Sequence, residues 1–241
     1  MDKVSVIIPT YNRFNYLLNA INSVKNQTYS NIEIIVVNDC STEKEYYEYD
    51  WKANDIKIIH LEQNSKSIFG FACPGGYQKN FGMKEATGTW IAFCDDDDIW
   101  LPNKLELQLK KMSETDCKMS STEAYWGYGV YDPDKKYEKY LHEGILEGNK
   151  RNYRKTRYSK FFRKGRIPPI FTYEALKINN LVVCCSFIMH SEIYKKVGDF
   201  KPMNKADDYE YWLRCLQYGD IAFVSEPCVY YDRGHGDGQN Y

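Results

Sequence analysis

Four consecutive aspartates, Asp95, Asp96, Asp97 and Asp98, follow directly on the apolar run TWIAFC at residues 89–94. Carboxylates packed this closely repel one another, and a strand end of low dielectric sharpens the cost, so a bound cation that offsets the charge best explains the run. Oxygen-only ligands suit Mg2+ or Mn2+ and argue against zinc. The competing explanation is a helix cap ahead of Pro102, but one aspartate is enough for a cap. A second acidic pair, Asp207 and Asp208, opens a helical pattern, where first-turn carboxylates are favoured for purely structural reasons.

The elements that must carry these residues are legible from periodicity. VSVII at residues 4–8, IEIIVVN at Ile32–Asn38 and IKIIHL at residues 56–61 are continuous apolar runs rich in β-branched residues, as expected of strands buried on both faces. Between the first two, residues 12–27 repeat apolar side chains at helical spacing (Tyr16, Leu17, Ala20, Ile21, Val24), giving a βαβ unit. A glycine-containing loop leads into a helix over residues 79–86, and the fourth strand, 89–94, ends on the aspartates. This alternation predicts an α/β fold with a doubly wound, mostly parallel sheet whose ligands sit beyond the strand C-termini.

The second half reads differently. Residues 102–112 form a helix, residues 125–147 are rich in Tyr, Gly, Asp and Lys without a period, and LVVCCSFIM at 181–189 reads as a buried strand. An acidic helix over 206–218 precedes a strand near 221–224. Every charged residue from Lys150 to Arg166 is Lys or Arg. Such a basic loop is either a solvated, mobile segment or an anion-facing one that closes over a diphosphate or approaches an acidic acceptor.

Bulk composition narrows the class. With 241 residues, 43% hydrophobic and 27% charged, one α/β domain covering 1–241 is the simplest organisation. A net charge of −1 makes no electrostatic case for nucleic acid, and no run is long and apolar enough for an integral membrane segment. Eight cysteines without a CxxC pair, several inside apolar runs, are expected to be reduced core thiols. Together with an N-terminus that lacks a signal-peptide pattern, they point to a cytoplasmic protein.

Three segments of the first half, VSVIIPTYNR (4–13), VVNDCST (36–42) and QKNFGMKEATGTWIAFCDDDDIWLPNKLE (78–106), resemble glycosyltransferase family 2 in order and spacing. CSFIMHSEIYKKVGDF (185–200) and DDYEYWLRC (Asp207–Cys215) resemble that family's acceptor-side half. The resemblance implies a GT-A type fold with a nucleotide-sugar-binding half at 1–112 and an acceptor-binding half at 113–241. It implies an inverting, metal-dependent enzyme that moves a hexose or related sugar from a UDP-sugar donor to a glycan or protein hydroxyl. Residue by residue, it implies that Pro9, Thr10 and Tyr11 lie under the nucleoside, that Asp39 reads the uracil edge, and that Lys79, where the family usually has Arg, addresses a phosphate beside Asn80. Within the DxD pattern, Asp97 would bind Mn2+ or Mg2+ while Asp95 and Asp96 address the ribose or metal-bound waters, with Asp98 behind them. His235, in a sequence similar to the family's Tyr-Arg-x-His ending, would complete the metal shell. Asp208 would be the catalytic base, with Asp207 its neighbour and an acceptor contact.

Two rival classes fit the residues less well. A nucleotidyltransferase usually needs a glycine-rich basic loop after the first strand, and PTYNRFN has no glycine. A non-catalytic carbohydrate-binding module descended from such an enzyme would have no need of both Asp97 and Asp208. Neither the sugar nor the acceptor is named by the sequence, and further domains or a homo-oligomer are compatible with it.

Overall fold

A computed structural model describes residues 1–234. The first half runs β1 (Val4–Thr10), α1 (Phe14–Lys25), β2 (Ile32–Asn38), α2 (Glu45–Glu48), β3 (Ile56–His60), α3 (Ser65–Phe69), α4 (Gly76–Glu85) and β4 (Trp90–Phe93). After β5 (Ile99–Trp100) and α5 (Lys104–Thr115) come β6 (Met119–Gly127), β7 (Glu138–Lys139), α6 (Leu146–Asn152), α7 (Ser159–Arg163), β8 (Ile170–Phe171) and α8 (Tyr173–Leu176). The chain closes with β9 (Ile188–His190), α9 (Ser191–Val197), α10 (Asp207–Cys215) and β10 (Ile221–Asp232).

One sheet holds the molecule together, in the order β3-β2-β1-β4-β9-β6-β10-β5, with β7 beside β6 and β8 beside β10. The long ladders are parallel: β1 with β2 and β4, β2 with β3, and β6 with β10. The antiparallel joins are short, and β9 stitches the two parallel halves by pairing with both β4 and β6. β1 is buried at every position, which is why its sequence does not alternate. This is the α/β, mostly parallel architecture that the strand and helix pattern predicts.

Three segments depart from expectation. Of residues 181–189 only the end is strand, because Cys184–Ser186 turns in a short 3-10 segment that carries Ser186 into the core. There Ser186 Oγ bonds the Ser121 hydroxyl at 2.9 Å and accepts from the Thr122 amide at 3.0 Å. β6 had no apolar signature, since Ser120, Ser121, Thr122 and Glu123 are all fully buried polar residues. Its Glu123 carboxylate accepts from the backbone amides of Ala124, Leu141 and His142 at 2.8, 2.8 and 3.0 Å, and pairs with the His142 ring. Satisfied polar groups can replace hydrophobic ones in a core, and such substitution hides the strand from a periodicity test. The basic stretch 150–166, expected as a loop, carries α7 and the end of α6, because Tyr153, Tyr158 and Phe162 are buried, with the Tyr153 and Phe162 rings stacked at 4.4 Å. Its cations from Arg151 to Arg166 face solvent.

One buried charge sits in the helix that follows the acidic run. Lys104 of α5 is fully buried, with its ammonium 3.6 Å from the centroid of the Trp100 ring and 2.8 Å from Gln108 Oε1. The ring face favours the ammonium, but burial outweighs it and pushes the pKa down from 10.5 to about 7. A base depressed in the folded state contributes stability above its unfolded pKa and loses it as pH falls toward the folded value. Unfolding free energy should therefore fall between about pH 10.5 and about pH 7 through this group, and Lys104→Met should remove that slope. Parallel pH slopes in urea titrations of the two proteins would contradict this.

Candidate active site

The C-terminal ends of β1, β2 and β4 bring the sequence-selected residues to one cleft. Pro9 and Thr10 end β1 and Tyr11 follows; Thr10 Oγ1 lies 2.6 Å from the Tyr46 hydroxyl, and the Thr10 carbonyl accepts from the Asp39 amide at 2.9 Å. Asp39, expected to read a uracil edge, is fully buried instead. Its carboxylate accepts from Ser65 N (3.0 Å), Ser65 Oγ (2.7 Å), Gln78 Nε2 (2.7 Å) and Asn64 Nδ2 (3.1 Å). Burial raises its pKa and these donors oppose the rise. In this structure the carboxylate pins α3 and α4 to the end of β2.

The four aspartates diverge. Asp98 is fully buried, where Oδ1 accepts from the Asp232 amide at 2.9 Å and latches β10 to the end of β4. Burial, then Asp97 and Asp95, hold its carboxyl well above the usual range. Asp96 and Asp97 share Arg13, whose Nη1 lies 3.2 Å from Asp96 Oδ1 and 2.9 Å from Asp97 Oδ2. Burial raises both, Asp97 to about 8 with Asp96 adding to the rise and Arg13 opposing it. Arg13 went unassigned in the sequence, although its place directly after β1 puts it at the same sheet edge as the aspartates.

Lys79, expected to meet a phosphate, is 1% exposed and bonds Asp95 Oδ1 at 2.7 Å. Burial works against its charge, but Asp95, Cys184 and Asp207 more than offset the penalty and hold the ammonium well above the ordinary lysine range. Lys79 therefore acts through Asp95 as a buried counter-ion. On the other side of this cation stands the N-terminus of α10. Asp207 is 3% exposed, accepting from the Gly76 amide at 2.9 Å and from the Asp208 amide at 2.9 Å. Burial lifts its pKa to about 6, with Lys79 lowering it and Asp208 raising it. Asp208 is more open, accepts from the Tyr209 amide at 2.6 Å, and is raised chiefly by burial, which that bond and Lys79 oppose. Asn80 fastens the two halves, since its amide exchanges hydrogen bonds with the backbone of Phe200 at 2.9 and 2.7 Å. Trp100 is 2% exposed and donates to the Cys185 carbonyl at 2.8 Å. His235 lies outside the described residues.

The donor set suits a hard divalent cation. Asp95 and Asp97 are the two less buried members of the run, and the raised pKa of Asp97 reflects burial and negative charge that Arg13 does not fully offset. Among the described residues no three His, Cys, Asp or Glu side chains close into a complete cage. Mg2+-like ions are commonly held by one or two carboxylates with the remaining ligands from phosphate oxygens and water, so Asp97 with Asp95 fits that pattern.

Fold and cleft together define a GT-A type glycosyltransferase domain. Residues 5–198 match the model of Glycosyl transferase family 2, and the chain belongs to that family. It is 30% identical over 229 residues to an uncharacterized glycosyltransferase of Rickettsia typhi, covering 94% of this chain and 62% of that one. It is 27% identical over 235 residues to the putative teichuronic acid biosynthesis glycosyltransferase TuaG of Bacillus subtilis, covering 94% and 77%. The S. aureus TarS 1-349 structure in complex with UDP superposes with a TM-score of 0.69 at 20% identity, over 98% of this chain and 62% of TarS 1-349. The chain spans 20% to 62% of the length of several Rickettsia relatives.

The contact between Gly76 and Asp207 is testable without any substrate. A Cβ on Gly76 would collide with Asp207 Oδ2 and approach Phe200 at 2.9 Å. Alanine is the better helix former, so open space would make Gly76→Ala stabilising. The contact reverses the sign, and the variant should lose about 1–3 kcal/mol in urea unfolding. A gain in stability would show that α4 and α10 are not held this closely.

Proposed function

We propose that the chain is a metal-dependent inverting glycosyltransferase that moves a hexose or related sugar from a UDP-sugar to a glycan or protein hydroxyl. The observation that carries this reading is the pairing of two carboxylate groups around one buried cation: Lys79 bonds Asp95 and is electrostatically tied to Asp207 and Asp208. A donor diphosphate at the first group and an acceptor at the second would meet at a single anomeric carbon. The S. aureus TarS complexes with UDP and with UDP-GlcNAc support a uridine nucleotide as donor. TuaG is named for teichuronic acid biosynthesis, which supports a glycan as acceptor. The exposed cations between Arg151 and Arg166 suit an acceptor with negative charge elsewhere on it.

In the proposed step, Asp208 takes the proton of the acceptor hydroxyl as the oxygen attacks. The new C–O bond forms on the face opposite the departing UDP, which leaves with the electron pair of the old bond, so configuration inverts. A base works best with a pKa near the operating pH, and burial moves Asp208 in that direction. Its place at the start of α10 keeps the carboxylate ionised against that burial. Asp207 holds the α10 turn against Gly76, and Lys79 fixes Asp95 where it can address the ribose or water around the diphosphate. Pro9, Thr10 and Tyr11 form the edge under the nucleoside, backed by the buried Asp39 cluster. Asp97, with Asp95 and Asp96 beside it and His235 as a further candidate ligand, would hold Mn2+ or Mg2+, which would supply charge neutralisation for the leaving diphosphate.

Asp97→Asn should abolish Mn2+-dependent thermal stabilisation by UDP and lower turnover by at least ~100-fold; full activity of this variant in the presence of a chelator would refute the metal role. Asp208→Asn should keep donor binding and lose transfer by ~10²–10⁴-fold, with a smaller loss for Asp207→Asn. An active Asp208→Asn beside an inactive Asp207→Asn would reassign the base. UDP should stabilise the protein more than GDP or ADP, in keeping with the UDP and UDP-GlcNAc complexes of S. aureus TarS. Equal melting shifts with the three nucleotides would count against a uridine donor.

A further inference from the structure

A cavity of about 470 Å³ opens between the π-helical turn Tyr140–Gly144, the helix α6 and the loop at Asn179 and Asn180. Its volume falls within the ~300–1,000 Å³ of small-ligand sites. Four asparagines, Asn149, Asn152, Asn179 and Asn180, line it together with Tyr140, and no charged side chain does. An amide offers both donors and an acceptor, which is the pattern that ring hydroxyls complement, whereas an ionic ligand would call for a counter-charge.

Asn149 gives this cavity an unmet demand. It is fully buried, and its Oδ1 accepts from Asn179 Nδ2 at 2.7 Å, while its own Nδ2 has no hydrogen-bond partner among the described residues. A second donor close by, the Trp126 indole N–H, is also buried without a partner and lies 3.4 Å from where a Cβ on Gly144 would stand. Buried donors left unpaired are costly, and two beside one polar cavity are explained by a ligand that brings acceptors. The frame around them is rigid: the Tyr153 hydroxyl donates to the Ala175 and Asn179 carbonyls at 2.8 and 3.2 Å, tying the end of α6 to the loop. The loop beside the cavity is also tied to the helix of the candidate base, because the Tyr209 hydroxyl of α10 donates to the Leu176 carbonyl at 2.7 Å, and Asn180 stands near enough to Asp208 to favour its ionised form.

We infer that this cavity is the acceptor subsite and takes a neutral pyranose ring, with Asn149 Nδ2 donating to a ring oxygen or hydroxyl. Asn180 links the bound ring to Asp208 and turns the carboxylate toward the reacting hydroxyl. The inference rests on the transferase reading above and adds to it the part of the acceptor that is recognised.

Gly148 supplies a test that leaves the donor side untouched. It lines the cavity, and a Cβ there would meet nothing within 4 Å, so Gly148→Leu fills the space without strain. Asn149→Asp keeps the acceptor for Asn179 and removes the unpaired donor. The probes are the methyl glycosides of glucose, galactose, mannose and N-acetylglucosamine, read by saturation-transfer NMR, with the UDP melting shift as the control for folding and donor binding. At least one glycoside should receive saturation from the wild type, and both variants should cut that signal at least ~10-fold with the UDP shift unchanged. Glycoside signals that persist in Gly148→Leu, or no signal from any glycoside on a protein that UDP stabilises, would overturn the subsite and leave the donor reading intact. A protein that UDP fails to stabilise, yet whose glycoside signal is lost in both variants, would keep the subsite and overturn the nucleotide reading.

Discussion

The structure depends on compensating negative charge where the sheet ends. Asp95 to Asp98 and the pair Asp207 and Asp208 stand at one cleft, and two cations answer them: Arg13 between Asp96 and Asp97, and Lys79 buried against Asp95. A lone buried ammonium is expensive, and so is a row of carboxylates, but together they form a paired array whose members are difficult to remove singly. The array explains why Lys79 keeps its charge despite full burial, while burial, opposed by Lys79, lifts Asp207 to about 6. It also joins halves of the chain that lie more than a hundred residues apart, as the Gly76 to Asp207 bond does directly.

Around that array the fold is arranged to hold positions rather than to present surface. Asp39 fastens α3 and α4 to β2, Asn80 fastens α4 to Phe200, and Asp98 fastens β10 to β4. Each is a polar side chain in the interior with its hydrogen bonds directed at backbone or at another buried polar group. Such contacts are geometrically specific where apolar packing is tolerant, and a transfer site needs reacting groups fixed to fractions of an ångström. The cavity beside α6 uses the same device less completely: Asn179 holds Asn149, yet Asn149 Nδ2 has no partner among the described residues.

Much of this was legible in the residues. Continuous β-branched runs marked β1, β2 and β3, and an acidic run after an apolar one marked the site, because burial on two faces and charge at a strand end leave patterns that survive in one dimension. β6 was not legible, since MSSTEAYWG buries Ser, Thr and Glu through partners such as Ser186 and His142 that are distant in sequence. The same limit governs side-chain roles. Position in a motif selects Asp39 and Lys79, but the neighbours that meet them, Ser65 and Gln78 for the carboxylate and Asp95 for the ammonium, are brought up only by the fold. Family membership rests on residues 5–198 and does not depend on those assignments.

The proposed transfer is a single displacement at the anomeric carbon, directed from the Asp208 side of the cleft. The most direct measurement is rapid proton NMR of the free sugar first released when the protein hydrolyses a UDP-α-sugar in the absence of acceptor, read before mutarotation. Water attacking in place of the acceptor should give the β-anomer first, with the α-anomer growing in later. Initial release of the α-anomer would contradict the single displacement and with it the role given to Asp208.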